Sequence, residues 1–197
     1  MKQSLSIEQF ENEFTVFWSN VAVANLDNER LNFPAKETMK EKLQHATCAL
    51  NEDTGCAYPG ALLVHINLMT ALAKRIAKMV SGTFSIDEQS LVRICVLMHL
   101  SKIEMYEPND NQWEIEKRGL NYKFAELEGK LKFGERSILK AMEWGIILDA
   151  EEFEAIRCLD KENEEKGVKY FESIYTTIVR QANELAYAIE KEKHNRM

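Results

Sequence analysis

The chain has 197 residues, 45% of them hydrophobic and 29% charged, a globular mixture that excludes a disordered chain and is long enough to bury a real core. Its formal net charge is −7 with no Lys or Arg run through its body, which argues against general nucleic-acid binding, since that needs a basic surface to release counterions. The first ten residues are mostly polar and no stretch approaches the roughly 18 apolar residues of a membrane span, so a cytoplasmic chain without membrane contact is expected.

Four cysteines, Cys48, Cys56, Cys95 and Cys158, include no CxxC pair, so ribbon and knuckle zinc sites are not indicated and reduced thiols are expected. Three prolines and eight glycines leave long helical stretches, and strand-like alternation is scarce. The expected fold is all-α, a compact multi-helix bundle in a single domain over residues 1–197. Residues 1–44 form an N-terminal helical extension packed on a core at 45–190, and 191–197 are an exposed cationic tail, where a helix C-terminus favours positive charge.

Ser6 and Gln9 make a capping box for a first helix carrying Phe10, Phe14, Phe17, Trp18 and Val21 at helical spacing, a packing face rather than a ligand platform. Pro34 suits the first turn of a second helix running to about Leu43, with His45 at its frayed end and no chemical role expected for it. Residues 50–60 read as a loop closed by the turn signal Pro59-Gly60. A long helix follows, striped by Leu62, Ile66, Met69, Ala73, Ile76 and Val80, with His65 beside the stripe. Ser85 and Glu88 are expected to box the start of a central helix that runs to Ile103 and is apolar on nearly all sides. Between Leu91 and Leu100 only Arg93 and His99 are strongly polar, and Lys102 follows three residues after His99.

Residues 104–132 lack periodicity and read as one long irregular loop, with a short hairpin or partner-binding flap as the alternative. Tyr106 and Trp113 within it suit either a lid or an interface. Helix resumes near Gly134 with Ile138, Met142 and Trp144. Asp149 and Glu152 cap another, with Phe153, Ile156 and Leu159 on its buried side, before a mixed-charge solvated segment at 160–166. The final helix is expected from about Lys169, striped by Ile174, Ile178, Ala182, Leu185 and Ile189.

Five segments in order resemble the HD-domain metal-dependent phosphohydrolases. Tyr58 to His65 looks like the turn and helix bearing the first metal histidine. Leu97-Met98-His99-Leu100-Ser101-Lys102-Ile103 is similar to a helix that normally reads Leu-Leu-His-Asp-x-x-Lys, and Gly134 to Ser137, Ala155 to Arg157 and Val179 to Asn183 resemble later segments. The resemblance covers roughly residues 45–190 and implies an all-α domain in which two histidines and two aspartates hold a metal that activates water against a phosphate ester.

Carried over residue by residue, His65 and His99 stand for the histidines, whereas Leu100 and Asn183 stand where the two aspartates belong. Histidines for a second metal would fall near Phe133 and Leu159. Lys102 stands for the lysine that approaches phosphate, and Arg118 and Arg136 are further candidates for an anion pocket. Two imidazoles and an amide bring no anionic charge to a hard cation. No cofactor is therefore expected; any metal present would be a single divalent transition ion, Zn, Fe or Mn. The one alternative donor set is His65, His99 and Cys95, the last being four residues before His99 on the same helix face. The opposing reading of Cys95 is a small buried apolar residue. Glu104 or Glu135 could also supply a carboxylate.

The expectation is thus a catalytically inactive relative acting as a binding or regulatory module with a residual phosphate pocket. The first alternative is an active phosphohydrolase on a nucleotide or small phosphate ester through an atypical metal site. The second is a structural or oligomerising helical protein whose histidines are core residues. A small phosphate-containing ligand and a homodimer are the partners considered.

Overall fold

The computed structural model describes residues 5–127, 129–158 and 172–196. Within them the chain runs α1 (Ile7–Val23), α2 (Lys36–His45), α3 (Ala61–Val80), α4 (Glu88–Leu97), β1 (Tyr106–Pro108), α5 (Gln112–Arg118), β2 (Tyr122–Phe124), α6 (Phe133–Glu143), α7 (Ala150–Arg157) and α8 (Ile174–Asn195). The architecture is an all-α bundle with one two-stranded ribbon. No helix among the described residues is long and apolar enough to cross a membrane. Leu159, the segment 160–166 and the expected helix start at Lys169 lie outside the described residues.

Local chemistry sets the helix ends. Ser6 and Gln9 form the predicted capping box, Gln9 N–H donating to Ser6 Oγ at 3.1 Å and Ser6 N–H to Gln9 Oε1 at 2.9 Å. Asp149 and Glu152 box α7 in the same way. The second helix starts at Lys36 behind Ala35 and continues to His45, so Pro34 precedes the helix instead of occupying its first turn. Its fixed φ and missing N–H suit an extended approach equally well. α4 is capped by Asp87, whose carboxylate accepts the Ser90 N–H at 2.8 Å, not by Ser85.

The central helix is shorter than its apolar run predicts. It ends at Leu97, and Leu100–Glu104 form a 3-10 turn. Ser137 on α6 accounts for the break: its hydroxyl donates to the Met98 carbonyl at 2.9 Å, and the Lys102 N–H turns back to His99 O at 3.0 Å. An i→i+3 bond tightens the coil to three residues per turn.

α3 packs most extensively on α8, and then on α4 and α1. Leu62, Ile66, Met69 and Ala73 of α3 are fully buried against Leu91, Ile94 and Cys95 of α4 and Phe17 and Val21 of α1. The stripes on α7 and α8 differ from the expected ones. Phe153 is 44% exposed, because the Asp149 cap fixes the register in which Glu152, Ala155 and Ile156 face inward. Glu152 then meets Arg93 at 3.0 Å, and Arg93 also donates to the Ala24 carbonyl, which explains a cation on an apolar helix. On α8 the buried line is Tyr175, Ile178, Val179, Ala182, Ala186 and Glu190, leaving Leu185 47% exposed. An acid is buried where hydrophobicity alone selects a leucine.

The region expected as an irregular loop holds an antiparallel ribbon, Tyr106 pairing Phe124 and Pro108 pairing Tyr122, with α5 inserted at its tip. Three-residue strands are too short to carry a period-two signal. The ribbon is stitched to the 50–52 segment by Tyr122 N–H to Leu50 O and Glu52 N–H to Gly119 O.

Gly55 ends a 3-10 turn at φ +75 and lies against the backbone of Glu190 and Lys191. A methyl group there would meet backbone that cannot swing aside, in a conformation L-residues avoid. Gly55→Ala is expected to lower stability in urea denaturation by about 2–4 kcal/mol, loosening α8 where it closes the site described next.

Candidate functional site

Three histidine-and-amide side chains from separate parts of the chain converge at the α3–α8 interface. His65 (α3) and His99 (the residue after α4's cap) lie with ring centroids 4.8 Å apart. Asn183 of α8 places its Oδ1 at 2.9 Å from His65 Nε2 and 3.0 Å from His99 Nε2. One amide oxygen accepting from both rings requires a proton on each Nε2. Behind His65, Glu190 Oε2 sits 2.8 Å from Nδ1, and the ring of Tyr187 lies 4.2 Å from that of His65.

Asn183, Tyr187 and Glu190 repeat at i, i+4 and i+7, so one face of α8 supplies all three. This stripe is the sequence signal for Tyr187 and Glu190, neither of which the apolar pattern of α8 selects. Cys48 is the other residue missed; it lies in a loop where no periodicity points to it.

The electrostatics follow from burial. Burial depresses His65, but the neighbouring Cys48 and the Glu190 carboxylate outweigh it and raise the ring above its ordinary value. Burial pushes the Glu190 carboxyl up, partly offset by its bond to His65. We therefore assign an imidazolium–carboxylate pair, His65 donating from both nitrogens. His99 is the opposite case. Burial, and then the charges of Lys102 and His65, hold it well below the ordinary imidazole value, so it stays neutral with Nε2–H toward Asn183. Its Nδ1 is buried without a partner, as is Glu190 Oε1.

Lys102 is three residues after His99, and the 3-10 turn between them brings side chains at i and i+3 to one side. The ammonium is 6% exposed as a residue and donates to Tyr187 Oη at 2.8 Å and to the Cys48 carbonyl at 3.1 Å. Its charge also lies 5.5 Å from the ring centres of Phe133 and Tyr187.

A cleft of about 510 Å³ opens over this cluster, with Lys102, His99 and Asn183 at its base and Tyr106, Phe133, Leu120 and Tyr187 among its walls. Its lining contains no carboxylate. Arg118 and Arg136 do not reach it: Arg118 pairs with Glu114 on α5, and Arg136 donates to the Gly129 carbonyl. Trp113 is exposed and outside the lining, whereas Tyr106 forms part of the wall. His45 ends α2 on the surface. Phe133 provides a ring face in the cleft.

The donor set does not fit a metal ion. Both Nε2 atoms point protons at Asn183, leaving no lone pair there, and a neutral amide brings no charge to a cation. Leu100 is buried in the apolar core. Cys95 does not join the histidines; its thiol meets Thr70, and burial pushes it up to about 12. Glu104 pairs with Lys42 and Lys140, and Glu135 accepts from the Lys132 N–H. Among the described residues no three His, Cys, Asp or Glu side chains come together as a metal-binding group.

The neutral state of His99 has a pH signature. A folded pKa held below the unfolded value of about 6.5 contributes stability that is complete above that value and is lost as pH falls toward the folded pKa. His99→Gln keeps an amide donor for Asn183 and removes the titration. The stability of the wild type relative to His99→Gln, from chemical denaturation, is expected to fall by about 1.4 kcal/mol per pH unit below 6.5. A difference independent of pH between 7 and 5 would mean that His99 takes up a proton as readily in the fold as in the unfolded chain.

In comparisons with known proteins, the chain matches no family model, no curated protein and no solved structure.

Proposed function

We propose that this chain is a catalytically inactive HD-domain-like protein that binds a small anionic ligand, a phosphate ester by preference, in the cleft over Lys102. The observation that carries the reading is the Asn183 amide oxygen bonded to both His65 Nε2 and His99 Nε2. These are three of the four positions at which the HD-domain resemblance expects metal ligands; the fourth, Leu100, lies in the apolar core. They lie 34, 84 and 118 residues apart in sequence, yet they meet within hydrogen-bonding distance. That convergence supports the kinship, and the identity of the bridging group supports the loss of chemistry. An amide that satisfies both rings does the structural work of an ion without its Lewis acidity.

Anion binding is supported by the balance of charge in the cleft. Lys102 is its one formally cationic lining residue, no carboxylate accompanies it there, and its hydrogen-bond acceptors are a carbonyl, a phenol and the Cys48 sulfur. Beyond these partners, a phosphate oxygen would offer the ammonium a further charge-assisted hydrogen bond. Aromatic walls from Tyr106 and Phe133 offer a face to the organic part of an ester.

Two measurements test this. Protein purified without chelator or polyhistidine tag is expected to carry Zn, Fe and Mn far below one equivalent by elemental analysis. Near-stoichiometric metal would overturn the inactive reading in favour of a hydrolase with an atypical site. Inorganic phosphate and nucleoside monophosphates are expected to stabilise the fold by RT ln(1 + [L]/Kd), about 2.7 kcal/mol at a hundredfold excess over Kd. Lys102→Met should abolish that thermal shift. No shift at millimolar ligand would leave a purely structural helical protein.

A further inference from the structure

We propose that Cys48 is a hydroperoxide-sensitive thiol and that Cys56 resolves it, closing a Cys48–Cys56 disulfide at the edge of the cleft. The two residues face each other across a short loop. Cys48 N–H donates to the Cys56 carbonyl at 3.2 Å, and Thr47 Oγ1 donates to the same carbonyl at 3.1 Å. Each thiol acts on the other's ionisation, and Cys56 Sγ also lies 3.4 Å from Thr54 Oγ1. Cys48 Sγ is also 3.3 Å from Tyr187 Oη and 3.7 Å from Lys102 Nζ.

This setting supplies what a reactive thiol needs, a positive neighbour and a hydrogen-bond donor beside the sulfur. It also answers a question of charge. The buried cluster holds the Lys102 ammonium and the His65–Glu190 pair, and no carboxylate forms an ion pair with Lys102 among the described residues. A Cys48 thiolate neutralises the ammonium. Burial opposes that ionisation, but the hydrogen bond from Cys56 and the charges of His65 and Lys102 override it and hold Cys48 well below the ordinary thiol value. Cys56 moves the other way, chiefly because it keeps the proton it shares with Cys48. Lys102 and Tyr187 touch only Cys48, so they decide which sulfur is the anion.

Cys48 is 1% exposed, yet it lines the 510 Å³ cleft. A peroxide scarcely larger than water can enter where a bulky alkylating reagent cannot.

In the first step the Cys48 thiolate attacks one peroxide oxygen. An S–O bond forms as the O–O bond breaks, the sulfur is oxidised to a sulfenic acid, and the departing hydroxide takes a solvent proton to become water. With the anion gone, the main cause of Cys56's reluctance to ionise is removed. Cys56 Sγ then displaces hydroxide from the sulfenic sulfur; the S–S bond forms, the S–O bond breaks, and the Cys56 proton leaves with the hydroxide as water.

The test uses the wild-type chain, fully reduced and treated with one equivalent of hydrogen peroxide at pH 7, followed by blocking of remaining thiols and peptide mapping. The expected result is a Cys48–Cys56 linkage formed before Cys95 or Cys158 is modified, although Cys158 is the most exposed of the four. Cys56→Ser should stop at a Cys48 sulfenic acid that a 1,3-diketone traps. Lys102→Met should slow Cys48 oxidation by roughly 10- to 30-fold at pH 7, the loss of thiolate on returning to a pKa of about 8.5. Oxidation landing first on Cys158, or a Cys48 that reacts no faster than an ordinary thiol, overturns the proposal. If Lys102→Met fails to fold, the order of oxidation in the wild type still decides.

Discussion

One carbonyl oxygen, that of the Asn183 side chain, joins two buried imidazoles and is the hydrogen-bond partner that His99 has among the described side chains. Around this bridge the polar side chains fall into place. His65 turns its second nitrogen to Glu190, and the orientation of α8 that allows this also presents Tyr187 to Lys102. Burying this many polar groups is unfavourable unless nearly all are satisfied. The network meets that condition with two exceptions, His99 Nδ1 and Glu190 Oε1. Removing one partner would strand the rest, which in buried ion pairs costs about 3–5 kcal/mol. The cluster is therefore a constraint on how α3, α4 and α8 approach one another as well as a candidate site.

Much of the fold was legible because its signals are local. The capping boxes at Ser6 and Asp149 and the apolar stripes of α1 and α3 need only a few neighbouring residues, and they stand as read. Three of the errors share one cause, a polar group from a distant element. Ser137 takes the Met98 carbonyl and shortens the central helix; Arg93 draws Glu152 inward and leaves Phe153 in solvent. His65 does the same to α8, burying Glu190 while Leu185 faces out. Hydrophobic periodicity cannot register a buried acid that is paired only in three dimensions.

The site divides along the same line. His65, His99, Asn183 and Lys102 were accessible from sequence, because the order of segments in the resemblance marks positions irrespective of chemistry. Arg118 and Arg136 were chosen for charge alone, and neither lines the cleft. Cys95 lies four residues before His99, but α4 ends between them, so the shared face predicted for an uninterrupted helix is lost. Cys48, Tyr187 and Glu190 required the fold to bring loop and helix together.

The bond between His65 and Glu190 spans 125 positions of the chain. Closing so long a loop costs entropy that only the completed packing of α3 on α8 returns. During synthesis, everything up to α7 can be made while the histidines still lack both of their α8 partners. The site is thus assembled late, and a chain cut before α8 would hold no partial version of it. What gives this protein its cleft is a property of the whole bundle, and no segment carries it alone.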